Sequence, residues 1–219
     1  MDAWLAVLTL VTSAMALLVS TVTAWLTLFR RGHLKMTRPT TIYLGPDGEP
    51  HTNQLKIYMP SLLYSTSKKG QLVENVFARL SRGEVARNFY VWVHGQGRPL
   101  MRGSGLFVGQ DGVVANHHFL LAPDETDFSF KSGTYQLEIF ANVIGKAKAN
   151  KLFETELVVG DSDELAMHRQ NVGLYFDWGP DTRKYYSHIE KRPERMSPKE
   201  LLAPSSGFDE FGAGKEQAK

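Results

Sequence analysis

No cysteine occurs among the 219 residues. Disulfide staples, thiol catalysis and cysteine-ligated zinc are therefore excluded, and the chain suits a reducing compartment. An excess of one charge is also lacking: 25 Lys and Arg stand against 23 Asp and Glu, for a net charge of +2. Residues 40–160 carry 12 basic and 11 acidic side chains, and residues 161–219 carry 9 and 11. Neither part has the basic face needed to neutralise nucleic-acid phosphates, so nucleic acid is not an expected partner. There is no G-x-x-x-x-G-K loop and no dinucleotide fingerprint. Lys131-Ser132-Gly133-Thr134 lacks the upstream glycine of a phosphate loop, so no cofactor is expected. No internal repeat is present.

The most informative absence is local. From Trp4 to Phe29 there is no charged residue, and about 20 apolar residues suffice to cross a bilayer core. Trp4 and Trp25 lie near the two ends of the run, where amphipathic rings favour the interface. A cleaved signal peptide would show a positive start, a shorter apolar core and a small-residue cleavage site. Only Asp2 precedes this run, and no such site follows it. The segment reads as an uncleaved transmembrane helix that makes the lipid bilayer a partner. Arg30, Arg31, Lys35 and Arg38 form a basic flank just after it. Positive-inside bias then predicts a single-pass plasma (inner) membrane protein with its N-terminus outside and its soluble domain in the cytoplasm. Ser13, Ser20 and Thr27 recur at seven-residue spacing, which would permit self-association through a small-residue face. The plainer reading is that these hydroxyls bond carbonyls of their own helix.

Beyond the linker the chain reads as short strands separated by turns. A first strand follows Thr40 and ends at Pro46-Asp47-Gly48. Further strands are expected at 54–59, 72–80, 88–94, 100–102, 106–108, 113–121, 134–143 and 151–159, the spacing of an all-β sandwich or barrel. In the stretch SGTYQLEIFANV, Tyr135, Leu137, Ile139 and Ala141 alternate with Gln136, Glu138 and Phe140, giving one apolar face. Asp161 and Glu164 have capping-box spacing before a helix, and the chain then forms a hairpin around 179–182. The resulting plan is a tail at 1–3, a membrane helix at 4–29, a basic linker at 30–39 and a β-sandwich at 40–160. A helix-plus-hairpin extension follows at 161–196, then a short helix and disordered tail at 197–219.

The Ser-Gly-x-Tyr stretch resembles the tyrosine corner of immunoglobulin-like sandwiches. In that resemblance Leu137 takes the place of the second cysteine and Trp92 that of the core tryptophan. It implies a mainly β, immunoglobulin-like antiparallel sandwich over roughly residues 54–159. A second resemblance lies in Gly103-Ser104-Gly105, Asp111-Gly112 and Asn116-His117-His118. Their order is similar to the run ending in the catalytic histidine of trypsin-like serine proteases, especially the membrane-anchored high-temperature-requirement branch. The family's G-x-S-G-G nucleophile run is absent, and Ser132-Gly133 and Ser206-Gly207 do not replace it. Metal binding by the histidine pair is disfavoured, because adjacent strand residues point to opposite faces. His117 shares a face with Val113, Ala115, Phe119 and Leu121, so it is the expected buried polar residue, bonded to backbone. His118 is expected at the surface.

The candidate partner-binding surface is the aromatic arm Tyr175, Phe176, Trp178, Tyr185 and Tyr186, since Tyr and Trp bury much area at low entropic cost. The order of anchor, basic flank, cysteine-free sandwich and DWGPD hairpin resembles uncharacterised single-pass membrane proteins of bacteria. The expected function is a membrane-anchored, non-enzymatic interaction or accessory module with a protein partner. An envelope-facing (periplasmic) ligand- or polymer-binding sandwich is the alternative, and a relic of a trypsin-like hydrolase stands last.

Overall fold

A computed structural model describes residues 2–29, 32–47, 54–95, 101–103, 105–122, 128–168 and 172–191. The apolar run forms α1 (Asp2–Ala24), which widens into a π-helical turn at Trp25–Phe29. None of the α1 residues is buried against protein. Thr12, Thr21, Thr23 and Thr27 each donate to the carbonyl four residues earlier, so these hydroxyls are satisfied within the helix.

The remaining elements are β1 (Leu34–Met36), β2 (Thr41–Pro46), β3 (Leu55–Ser65), β4 (Gln71–Arg82), β5 (Val85–Phe89), β6 (Val91–Gly95), β7 (Met101–Arg102), β8 (Leu106–Val108), β9 (Val113–Leu120), β10 (Gly133–Val143), β11 (Asn150–Val159), α2 (Asp161–Met167), β12 (Val172–Gly179) and β13 (Lys184–Lys191). They build two antiparallel sheets. The larger runs β13-β12-β2-β3-β9-β6-β7, with β1 also paired to β3. The smaller runs β11-β10-β4-β5, with β8 on β4. Alternation along each strand turns one row inward, and the inward rows of both sheets share one core. Ile42, Leu44, Ile57, Met59, Phe119, Leu174 and Phe176 come from the large sheet, and Val76, Leu80, Leu137, Ile139 and Leu157 from the small one.

Three sequence expectations change on the fold. The stretch 88–94 is two strands in different sheets, because the chain crosses over at exposed Tyr90. Part of the basic linker, Leu34–Met36, is a strand in register with Leu63–Ser65. The 172–191 hairpin pairs with β2 and places Leu174 and Phe176 in the core, so it is built into the large sheet. The expected short helix and tail at 197–219 lie outside the described residues.

Tyr135 forms a tyrosine corner. Its hydroxyl donates to the Lys131 carbonyl at 2.8 Å and accepts the Lys131 N–H at 2.9 Å. The immunoglobulin resemblance also implies that the core tryptophan shares a sheet with the corner strand. Here Trp92 lies on β6 of the large sheet and Tyr135 on β10 of the small one. The capping box is shifted as well. Asp163, not Glu164, reaches back to the Gly160 N–H at 3.2 Å. The Glu164 carboxylate instead accepts the Ser132 N–H at 2.6 Å, tying α2 to the corner and lowering the Glu164 pKa.

Candidate functional site

The described residues from Leu106 to the NHH run resolve into turns and strands. On β9 the inward residues are Ala115, His117 and Phe119, while Asn116 and His118 face outward. His117 is fully buried. Its Nδ1 accepts the Trp92 indole N–H at 3.1 Å, a side-chain partner where the sequence suggested backbone. That bond leaves the ring proton on Nε2, which has no hydrogen-bond partner among the described residues. Burial, then the charges of His94 and His118, lower the His117 pKa to about 4, so the ring is neutral. His94 lies opposite His117 on β6, is buried, and stacks on Trp92 with centroids 4.4 Å apart. Gly103 explains one glycine of the motif. It donates its N–H to the Trp92 carbonyl at 2.8 Å, and a Cβ there would fall 2.1 Å from the indole. A protease histidine needs a serine on one nitrogen and a carboxylate on the other. In this site an indole takes Nδ1.

Outward-facing side chains make a second arrangement. Strand register aligns His188, Tyr175, Tyr43, Tyr58, His118, Val93 and Arg102 in one row across all seven strands of the main path. Its six inter-strand steps span about 29 Å at ~4.8 Å each. Neighbouring rings touch: Tyr175 and His188 centroids are 5.5 Å apart, Tyr43 and Tyr175 4.9 Å, and Tyr58 and His118 4.8 Å. Tyr43 lies flat on the sheet and is itself buried. It can do so because Gly45 and Gly173 flank it, and a Cβ on Gly173 would sit 1.9 Å from the Tyr43 ring. The Tyr43 hydroxyl donates to the Pro46 carbonyl at 2.9 Å, and that of Tyr58 to Asn116 Oδ1 at 3.2 Å. Lys56 and Asp47 pair at 2.9 Å beside the row, with Lys56 Nζ 5.7 Å from the Tyr43 ring centroid. Partial burial, then the Lys56 charge, lower the His118 pKa to about 4 against the opposing pull of Asp47. His118 is thus a half-buried neutral ring within an aromatic surface.

The five aromatic-arm residues separate into three environments. Phe176 is a core residue and cannot meet a partner without unfolding the sheet. Tyr175 belongs to the outward row, and exposed Tyr186 lies on the same face. Trp178 and Tyr185 pack together, with centroids 5.0 Å apart, beside a cleft of about 620 Å³. Arg38 stacks over Trp178 at 4.1 Å and reaches toward Phe153 at 5.6 Å, so one residue of the basic flank touches a strand of each sheet, β12 and β11. The Tyr185 hydroxyl donates to the Pro39 carbonyl at 2.7 Å, and burial raises its pKa to about 12 against the Arg38 charge. Lys35 is exposed on β1, while Arg30 and Arg31 lie outside the described residues.

Tyr43 and Tyr58 are not singled out by sequence reasoning, and His118 is placed at the surface without a role. The available signal is weak: Tyr58 interrupts the apolar pair Ile57 and Met59, the mark of an outward position. Among the described residues no group of three His, Asp or Glu side chains is placed to hold a metal ion. No protein-family model matches the chain, and neither the curated proteins nor the solved structures give a match.

Proposed function

We propose that this chain is a single-pass protein of the bacterial plasma (inner) membrane that holds its sandwich at the cytoplasmic face. It serves there as a non-enzymatic interaction or accessory module for a protein partner. The observation that carries this reading is the helix. Asp2–Thr27 is long and apolar enough to cross a membrane, and none of it is buried against the protein. An apolar helix left uncovered in water exposes far more apolar surface than soluble monomers tolerate, and a bilayer removes that cost. The basic flank supports the cytoplasmic side. The tyrosine corner and two-sheet build support an immunoglobulin-like description, from which the strand order departs. The partner surface is the outward aromatic row with Tyr175 and Tyr186, where large rings stand on a rigid sheet. Self-association through the helix is a further element of the proposal.

The aromatic row also favours a second reading, an envelope-facing sandwich that binds a ligand or polymer along the row. Protease added to sealed spheroplasts separates the two. The cytoplasmic reading expects the sandwich to stay intact until the membrane is permeabilised, and digestion in sealed cells overturns it. Crosslinking in native membranes, with wild type compared with Tyr175→Ala and Tyr186→Ala, tests the partner surface. Adducts that persist unchanged in both variants remove the row from the proposal, and recovery of only monomer removes self-association and partner together.

A further inference from the structure

Where the chain leaves the helix, the sandwich presents apolar side chains ringed by lysines. Gly32 is the third residue after Phe29 and is already tied into the fold. Its carbonyl accepts from Gln71 Nε2 at 3.1 Å, and His33 and Thr66 exchange hydrogen bonds of 2.8 and 3.0 Å. Beside Gly32 a shallow cleft of about 380 Å³ is lined by Leu72, Phe107 and Ile144. These three side chains are 51%, 58% and 62% exposed, although each belongs to a size and type that usually packs inside. Leu72 and Phe107 are directly opposite on β4 and β8, and the Ile144 N–H donates to the Leu72 carbonyl at 2.9 Å, so the patch is rigid. Lys68 and Lys69 stand exposed in the β3–β4 turn, and Lys146 and Lys148 in the β10–β11 turn. Apolar residues inside a rim of lysines match the composition of surfaces that settle into the headgroup layer.

Chain length supplies the occupant. Two residues separate Phe29 from Gly32, and the three Cα steps between them span at most about 11 Å in any conformation. If α1 crosses the bilayer, this end of the sandwich is held within that distance of the membrane-embedded turn. We propose that it docks on the bilayer surface, with Leu72, Phe107 and Ile144 in the interfacial layer and the two lysine turns against anionic lipid headgroups. Docking rests on the membrane-anchor reading above, and it orients the sandwich. Strand β4 then rises from the membrane at Gln71, and Val85, opposite Arg82 at its far end, stands roughly 36 Å away along the strand.

Because the chain has no cysteine, single labels are unique. Full-length Ile144→Cys, Val85→Cys and Leu18→Cys are each labelled with an environment-sensitive fluorophore. They are reconstituted in phosphatidylcholine vesicles with and without phosphatidylglycerol. Lipid-borne nitroxides should quench the probes at 18 and 144 and spare the probe at 85, while aqueous iodide shows the reverse order. Lys68→Gln with Lys69→Gln should weaken docking about fivefold per lysine in the anionic vesicles and not in neutral ones. A probe at 144 that iodide quenches as freely as the one at 85, while the probe at 18 is quenched from the lipid, overturns docking and leaves the anchor standing. A probe at 18 that lipid nitroxides do not reach overturns both.

Discussion

Acid should destabilise this protein through His117. The imidazole is fully buried, and its Nδ1 is committed to the Trp92 indole, so the native state holds it neutral. Its pKa falls from 6.5 to about 4, first through burial and then through His94 and His118. The unfolded chain accepts a proton as the pH drops below 6.5, while the folded protein resists until about 4. Stability is therefore lost through that window and levels off below it. At about 1.4 kcal/mol per pH unit the loss is roughly 2 kcal/mol by pH 5 and roughly 3 kcal/mol by pH 4. That is a sizeable share of the roughly 5–15 kcal/mol that holds a typical domain together. His117→Gln isolates the effect, because its amide oxygen can accept the Trp92 N–H and does not titrate. Urea unfolding of the full chain in mild detergent, followed by tryptophan fluorescence, gives the stability of both proteins across the window. The wild-type advantage over the variant should shrink by about 3 kcal/mol between neutral pH and about pH 4. His94 and His118 are present in both proteins, and their contributions cancel in the difference while His117 stays neutral, above about pH 4. Parallel loss of stability in the two would refute the assignment of a His117 held neutral down to about pH 4.

Three other outcomes follow from the geometry. Gly173→Ala should cost about 1–3 kcal/mol by driving a methyl into the Tyr43 ring, and adding Tyr43→Ala should recover part of that loss in urea unfolding. Phe176→Ala should cost about 3–5 kcal/mol, while Tyr186→Ala stays within about 0.5 kcal/mol; equal effects would mean the hairpin is not part of the core. Tyr135→Phe should lose about 1 kcal/mol and speed amide exchange at Lys131, whose N–H donates to the tyrosine hydroxyl.

Local chemistry made several elements legible. The uncharged run from Trp4 to Phe29, the alternation at Tyr135, Leu137, Ile139 and Ala141, and the turn at 179–182 each announce themselves within one continuous stretch of the chain. The same local grammar misread 88–94 as one strand, because no Gly or Pro interrupts the run NFYVWVH. Phe89 and Trp92 are three residues apart and both inward, which one regular strand cannot provide, and the crossing at Tyr90 assigns them to different sheets. It also grouped Phe176 with its aromatic neighbours, although alternation could already have set it on the opposite face from Tyr175.

The helix, the β character and the opposed faces of His117 and His118 are properties of continuous segments, and the lack of cysteine is one of composition, so the sequence alone determines them. The aromatic row and the lysine-rimmed patch belong to no segment. Tyr43, Tyr58, His118 and Tyr175 come together only when β2 pairs with both β3 and β12, and β3 with β9. Leu72, Phe107 and Ile144 meet only when β4 binds β8 and the β10–β11 turn. Strand register over long sequence separations is set by which inward rows fill the shared core. The outward rows, where recognition takes place, inherit their alignment from that packing and become visible only in the folded chain.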